Sequence, residues 1–245
     1  MFAPAKRSRA LSLVHGSDQD CLRDLIPLHA VAHPSILDAT YGVGRIWRGL
    51  PWQPEERVDC RDLPDLTWVG DFRHLPVDWT DRFDIVVFDP PHMTDAGRNS
   101  RYAERFGALA EPVQHAADIS HLYKPFLREA KRVLRPGGII LAKIADQVHR
   151  GVMRWQMVDF IVAVREAGLT ACDRQIKDEP RASTLVGHNW QIQRHTRRAE
   201  VFWIVVRKGP CHRPERSPSS RRRPTLLAVP NASAPAPIVR TPIPD

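Results

Sequence analysis

The run Asp84-Ile85-Val86-Val87-Phe88-Asp89-Pro90-Pro91-His92 decides the fold. Ile85–Phe88 are apolar without alternation, as expected of a strand covered by helices on both faces. The strand ends in a carboxylate, and the two prolines after it fix a stiff turn.

Shorter strands are expected at Ser35–Asp38, Arg57–Cys60 and Thr67–Val69 before this run, and at Ile139–Ile144, Leu169–Ile176 and Val201–Val206 after it. Ser17 caps a helix through Leu25 that Pro27 helps to stop, and a second helix is expected near Arg45–Leu50. Ile119, Leu122, Tyr123, Phe126, Leu127, Ala130, Val133 and Leu134 fall at helical spacing, with Pro125 implying a kink or a late start. Pro136-Gly137-Gly138 reads as a turn, and Gly168 ends a helix over about Met153–Ala167. Strands alternating with helices predict an α/β fold with a doubly wound, mostly parallel sheet.

Residues 1–16 read as a ragged entry, and 1–208 as one domain. From Gly209 the chain holds nine prolines in 37 residues, with six arginines against two acids, which predicts a disordered basic tail. The formal net charge of +8 favours polyanionic partners, but half of it lies in that tail. No run is apolar enough to span a membrane, and the default expectation is the cytoplasm. Cys21, Cys60, Cys172 and Cys211 show no metal-like spacing, so free thiols, no metal and a reducing compartment are expected.

Two constellations carry chemistry. In Asp38-Ala39-Thr40-Tyr41-Gly42-Val43-Gly44 the glycines let the backbone pass close beneath a ligand at a strand's carboxyl end. Trp47 stands where a dinucleotide fingerprint needs its third glycine, and no phosphate-loop lysine follows. The pattern suits instead a cationic ligand with an amino group, and Asp38 is a candidate for the ammonium end of S-adenosylmethionine. Asp59, with Asp62 as its rival, is the candidate acceptor for ribose hydroxyls, and Asp71 for the adenine amino group, with Phe72 beside the ring. Singly, each carboxylate is an ordinary turn residue. Together they mark three successive strand ends.

The second constellation is Asp89-Pro90-Pro91-His92. A base amino group is a poor nucleophile because its lone pair is delocalised into the ring. The Asp89 carboxylate and the Pro90 carbonyl could hold its two hydrogens and aim the nitrogen at a methyl donor, lowering the barrier by positioning and electrostatics. His92 offers a stacking surface for a base flipped out of its helix.

Asp38–Gly44, Asp89–His92 and Arg132-Val133-Leu134-Arg135-Pro136-Gly137-Gly138 resemble the amino-methyltransferase group of DNA modification methylases, in particular the small enzymes of phage and actinobacterial genomes. Gly70-Asp71-Phe72-Arg73, Lys143-x-x-Asp146-Gln147 and His195-Thr196-Arg197-Arg198 add to the likeness, which runs from about Ile36 to Arg207. The resemblance implies a Rossmann-like sheet with one antiparallel edge strand. It implies cofactor contacts at Asp38, Gly42, Gly44, Asp59 and Asp71, joined by Thr40 and Phe72, and catalysis at Asp89–His92. Position 92 departs from the usual Tyr or Phe. No separate target-recognition domain is evident, so Met93–Ala117 and Lys177–Arg198 inherit that work, with Arg194, Arg197 and Arg198 as candidate phosphate contacts. DNA is the expected partner, with adenine ahead of cytosine and RNA as the alternative. Methylation of a protein amide or a small molecule, and an inactive nucleic-acid-binding protein, are more remote readings.

Overall fold

The computed structural model describes residues 10–90, 117–149, 152–178 and 200–211. All but the tail belongs to one compact unit, Met1–His212; the second unit, Arg213–Asp245, lies outside the described residues.

The central strand, β5 (Phe83–Phe88), is buried as its composition requires. Val86 and Phe88 face one core, where they meet Tyr123, Phe126, Leu127 and Ala130 of α2 (Ala117–Val133) and Phe160 and Val164 of α3 (Gln156–Glu166). Ile85 and Val87 face the other core, with Cys21, Leu22, Leu25 and Ile26 of α1 (Asp18–His29). The period of two along a strand thus feeds two helical layers.

The remaining strands are β1 (Leu13–Val14), β2 (Ile36–Asp38), β3 (Glu56–Asp59), β4 (Trp68–Val69), β6 (Leu134–Ile144), β7 (Gln147–His149), β8 (Val152–Arg154), β9 (Thr170–Asp178) and β10 (Glu200–Arg207). The main sheet runs β1-β9-β10-β6-β5-β2-β3-β4, and β7 and β8 form a separate antiparallel hairpin. β4, β3, β2, β5 and β6 are mutually parallel. β10 runs antiparallel to both β6 and β9, with β1 completing that side of the sheet. This is the expected doubly wound, Rossmann-like α/β fold. The chain leaves β2 toward β3 and β4, then returns to β2's other side with β5. The switch point therefore lies between β2 and β5, where open α/β sheets take their ligands.

Several local expectations are corrected. Ser17 does cap α1, through a full capping box with Asp20, but the helix runs past Pro27 to His29. Arg45–Leu50 is no α-helix; only a 3₁₀ turn forms at Arg45–Trp47, because positive φ at Gly44 and Gly49 bounds it on both sides. α2 does not start late and runs through Pro125. Pro136-Gly137-Gly138 lies within the long β6 rather than in a turn. The β7–β8 hairpin takes up residues expected to open α3, whose Met157 amide is instead capped by the Asp146 carboxylate at 2.9 Å. The entry segment is not wholly ragged, since Leu13 and Val14 pair with Ile176 and Lys177.

The free-thiol expectation fails for two of the four cysteines. Cys172 and Cys211 form a disulfide, with Cα atoms 5.4 Å apart across a sequence separation of 39, while Cys21 and Cys60 are free. The register explains it. Asp173 pairs with Val205 and Ala171 with Val206, so Cys172 is the extra residue of a β-bulge beside the end of β10, where Cys211 follows. Cysteine spacing along the chain carries no trace of that pairing. Closing so long a loop restricts the unfolded chain, so Cys172→Ser or Cys211→Ser should each cost about 2–4 kcal/mol. Denaturant titration should show the same loss when the unmodified protein is reduced, and no further loss when either variant is.

Candidate active site

The loop leaving β2 is stitched into both neighbouring strands. Ala39 N donates to Val87 O of β5 at 3.0 Å, and Tyr41 N to Val58 O of β3 at 2.8 Å. Gly42 N donates to the Asp59 carboxylate at 3.1 Å, and Gly44 N to Tyr41 O at 2.9 Å. Gly42 and Gly44 adopt φ of +57° and +64°, which side-chain-bearing residues rarely adopt. A Cβ at Gly44 would strike the Tyr41 ring, whereas one at Gly42 would meet nothing within 4 Å but an Arg61 nitrogen at 3.9 Å. The backbone at Gly42 is thus bare toward the site.

Asp38 ends β2 with no exposed surface. Its carboxylate accepts from Thr40 N at 2.9 Å and from the Trp47 indole Nε1 at 2.6 Å. Burial pushes its pKa up from 3.8 to about 7, against those two hydrogen bonds. The sequence placed Asp38 against an ammonium group; the structure seats it behind the loop, where it fixes the loop's course.

Asp59 is nearly buried at the end of β3 and is gripped by Arg61 through the backbone N (3.0 Å), Nε (2.9 Å) and a terminal nitrogen (3.0 Å). Burial works to raise its pKa, but the Arg61 contacts and Gly42 N hold it below the usual range. Asp71, beyond β4, repeats the arrangement with Arg73, through the backbone N and Nε, each at 2.8 Å. Its pKa is likewise lowered against its burial. Asp62, the rival to Asp59, is exposed. The Phe72 ring packs edge-on against Phe88 (5.3 Å) and Phe126 (5.8 Å), lining the core beneath this end of the sheet.

Asp89 follows β5 and joins the two constellations, because its backbone N donates to the Thr40 hydroxyl at 2.7 Å. Pro90 beside it is buried. The Asp89 carboxylate lies 3.1 Å from Lys143 Nζ of β6, which also reaches Asp18 at 3.2 Å. Pro91 and His92 lie outside the described residues, as do Arg194, Arg197 and Arg198 and most of the two candidate recognition loops.

Arg61, Arg73, Asp18 and Lys177 were not expected here. The Asp-x-Arg repeat at Asp59–Arg61 and Asp71–Arg73 is visible in the sequence once the strand ends are known. Asp18 reads as a routine first-turn acid. The Lys143-x-x-Asp146 stretch divides, with Lys143 at the site and Asp146 capping α3. Among the described residues, no His/Cys/Asp/Glu group is placed to hold a metal ion, and no helix is long and apolar enough to cross a membrane.

No protein-family model matches the chain, and no curated sequence does. Solved structures resemble its fold. A SAM-dependent methyltransferase of Thermotoga maritima, described as a possible histamine N-methyltransferase, is 14% identical with a TM-score of 0.46, covering 79% of this chain and 88% of that one. A putative DNA modification methylase of Thermus thermophilus, solved with S-adenosyl-L-methionine, is 21% identical with a TM-score of 0.38, covering 62% and 59%. The 1,6-didemethyltoxoflavin-N1-methyltransferase of Burkholderia thailandensis is 15% identical with a TM-score of 0.48, covering 79% and 77%. These are likenesses of chain course.

Asp38 sets a pH dependence. Between about pH 4 and 7 the folded protein keeps a proton on Asp38 that the unfolded chain has released, so stability falls as pH rises through that window. Urea midpoints of the wild type and Asp38→Asn, measured from pH 4.5 to 7.5, should differ in slope, with the variant lacking this decline. Parallel slopes would show that Asp38 is ionised throughout.

Proposed function

We propose that the chain is an S-adenosylmethionine-dependent methyltransferase acting on the exocyclic amino group of a base in DNA, adenine ahead of cytosine. The observation that carries this reading is the hydrogen bond from Asp89 N to the Thr40 hydroxyl, which sets the Asp-Pro-Pro turn against the glycine loop at the switch point.

The chemistry of the loop fits this cofactor better than a phosphorylated one. A pyrophosphate seeks the N-terminus of a helix, and here a three-residue 3₁₀ turn follows the loop. Carboxylates, which would repel phosphate, stand at the ends of β2, β3 and β4 instead. Gly42, between Thr40 and Gly44, supplies a bare backbone for the cofactor, and Asp38 holds the loop that presents it. Asp59 is the acceptor for the ribose hydroxyls. Asp71 is the acceptor for the adenine amino group, with Phe72 below. When bound, S-adenosylmethionine supplies a methyl group on a sulfonium centre.

Asp89 and the Pro90 carbonyl accept the two hydrogens of the target amino group, which turns its lone pair toward the methyl group. His92 stacks on the extruded base. Arg194, Arg197 and Arg198 neutralise DNA phosphates, and the tail from Gly209 adds unspecific affinity.

Incubation with tritiated S-adenosylmethionine and DNA or RNA tests the reading directly. Label in DNA is expected; label in RNA alone would reassign the substrate, and label in neither would end the proposal. Asp89→Ala should lower single-turnover methylation about 10²–10³-fold, the scale of one oriented polar group in a transition state. Calorimetric cofactor affinity should stay near the wild-type value, and methylation at the wild-type rate would remove this turn from the chemistry. His92→Tyr should be tolerated better than His92→Ala. Replacing Arg194, Arg197 or Arg198 by Ala should weaken all DNA sequences alike and reduce the salt slope by about one.

A further inference from the structure

Lys143 is an unusual residue for its place. It stands in the apolar strand Ile139-Ile140-Leu141-Ala142-Lys143-Ile144, with a side chain only 11% exposed. Its ammonium reaches Asp89 at 3.1 Å and Asp18 at 3.2 Å. Asp18 accepts in turn from Lys177 of β9 at 2.8 Å and from the Trp203 indole Nε1 of β10 at 3.1 Å. Carboxylates and ammoniums thus alternate in the order Asp89, Lys143, Asp18, Lys177, drawn from four separate elements. The row sums to zero charge. A buried ion is costly unless it is paired, and removing Lys143 takes a paired cation from both Asp89 and Asp18.

We propose that Lys143 is the positioning residue for Asp89, and that Asp18, at the start of α1, holds Lys143 in place. The inference rests on the methyltransferase reading and goes beyond it, because it assigns a task to α1 and β6. Lys143 pins one Asp89 oxygen and keeps the carboxylate ionised among other acids. Asp18 of α1, Asp38 of β2 and Asp59 of β3 all bear on this corner; Arg61 pairs with Asp59, Lys177 of β9 with Asp18, and Lys143 with both Asp18 and Asp89. An ionised, immobilised Asp89 accepts a hydrogen bond from an amino group in one fixed direction. A protonated or swinging one does not. Burial alone would depress the Lys143 pKa, but Asp89 and Asp18 raise it above its ordinary value, so the ammonium persists across the working pH range.

The test compares the wild type with Lys143→Met, Lys143→Arg and the charge-balanced pair Lys143→Met with Asp18→Asn, which keeps a folded sample available if the single variant fails. In ligand-free protein, the Asp89 carboxyl carbon is followed by NMR against pH and assigned with Asp89→Asn. Its midpoint should move to higher pH in both Met variants and stay near the wild-type position in Lys143→Arg. Single-turnover methylation should fall roughly 10²-fold in Lys143→Met, as for a misplaced reacting group, and its acid limb should move to higher pH. Cofactor affinity by calorimetry should change little, since no contact proposed for it is lost. An unmoved carboxyl midpoint in an enzyme that methylates DNA would overturn the role of Lys143 alone. A midpoint that moves in the Met variants while the wild type transfers no methyl group would overturn the methyltransferase reading, and the role with it.

Discussion

The site hangs on one constraint, which is that the chain leaving β2 must turn between β3 and β5 without a helix to absorb its backbone donors. Buried peptide groups need partners, and the loop finds them on both sides. Ala39 N is taken by β5, Tyr41 N by β3, Thr40 N by Asp38 and Gly42 N by Asp59. Those bonds fix where Gly42 can lie and force its left-handed backbone. They also bring the Thr40 hydroxyl under the Asp89 amide. A shift in this loop would therefore move Gly42 and the Asp89 amide together.

The same corner gathers more acid than an unpaired arrangement could tolerate, and each carboxylate is relieved in its own way. Asp38 accepts from the neutral donors Thr40 N and Trp47 Nε1, and burial drives it toward the neutral form. Asp59 and Asp71 each take an arginine two residues along, a fork that matches a carboxylate and holds it ionised. Asp89 and Asp18 share lysines from β6 and β9.

Much of the fold was legible because burial on two faces leaves a strong mark. The Ile85–Phe88 run could be only a central strand, and Asp38, Asp59 and Asp71 were placed at strand ends by spacing alone. What the sequence hid was long-range pairing. Nothing near Cys172 announces Cys211, because a bulge and an antiparallel register bring them together. The helix expected after the glycine loop failed because glycines with positive φ bound the segment on both sides, an override of local periodicity by backbone geometry. Asp18 was invisible as a site residue because an acid in a first helical turn already has a sufficient local reason to be there.

That last case bears on how the site is divided. β2, β3 and β4 contribute the bare loop and the arginine-held carboxylates, which are groups for binding hydroxyls and amines. β5, β6, β9 and β10 contribute the alternating row behind Asp89. The Thr40–Asp89 bond joins the two sides at the switch point, and α1 reaches both, through Asp18 on Lys143 and through Gln19 and Arg23 on the Arg45 and Gly49 carbonyls. On the proposed reading, Arg61 and Arg73 bear on the cofactor through Asp59 and Asp71. A change at Asp18 acts instead on Asp89, through Lys143. The N-terminal helix is therefore more than cover for the sheet, because its first residue supplies the charge that the lysine behind Asp89 requires.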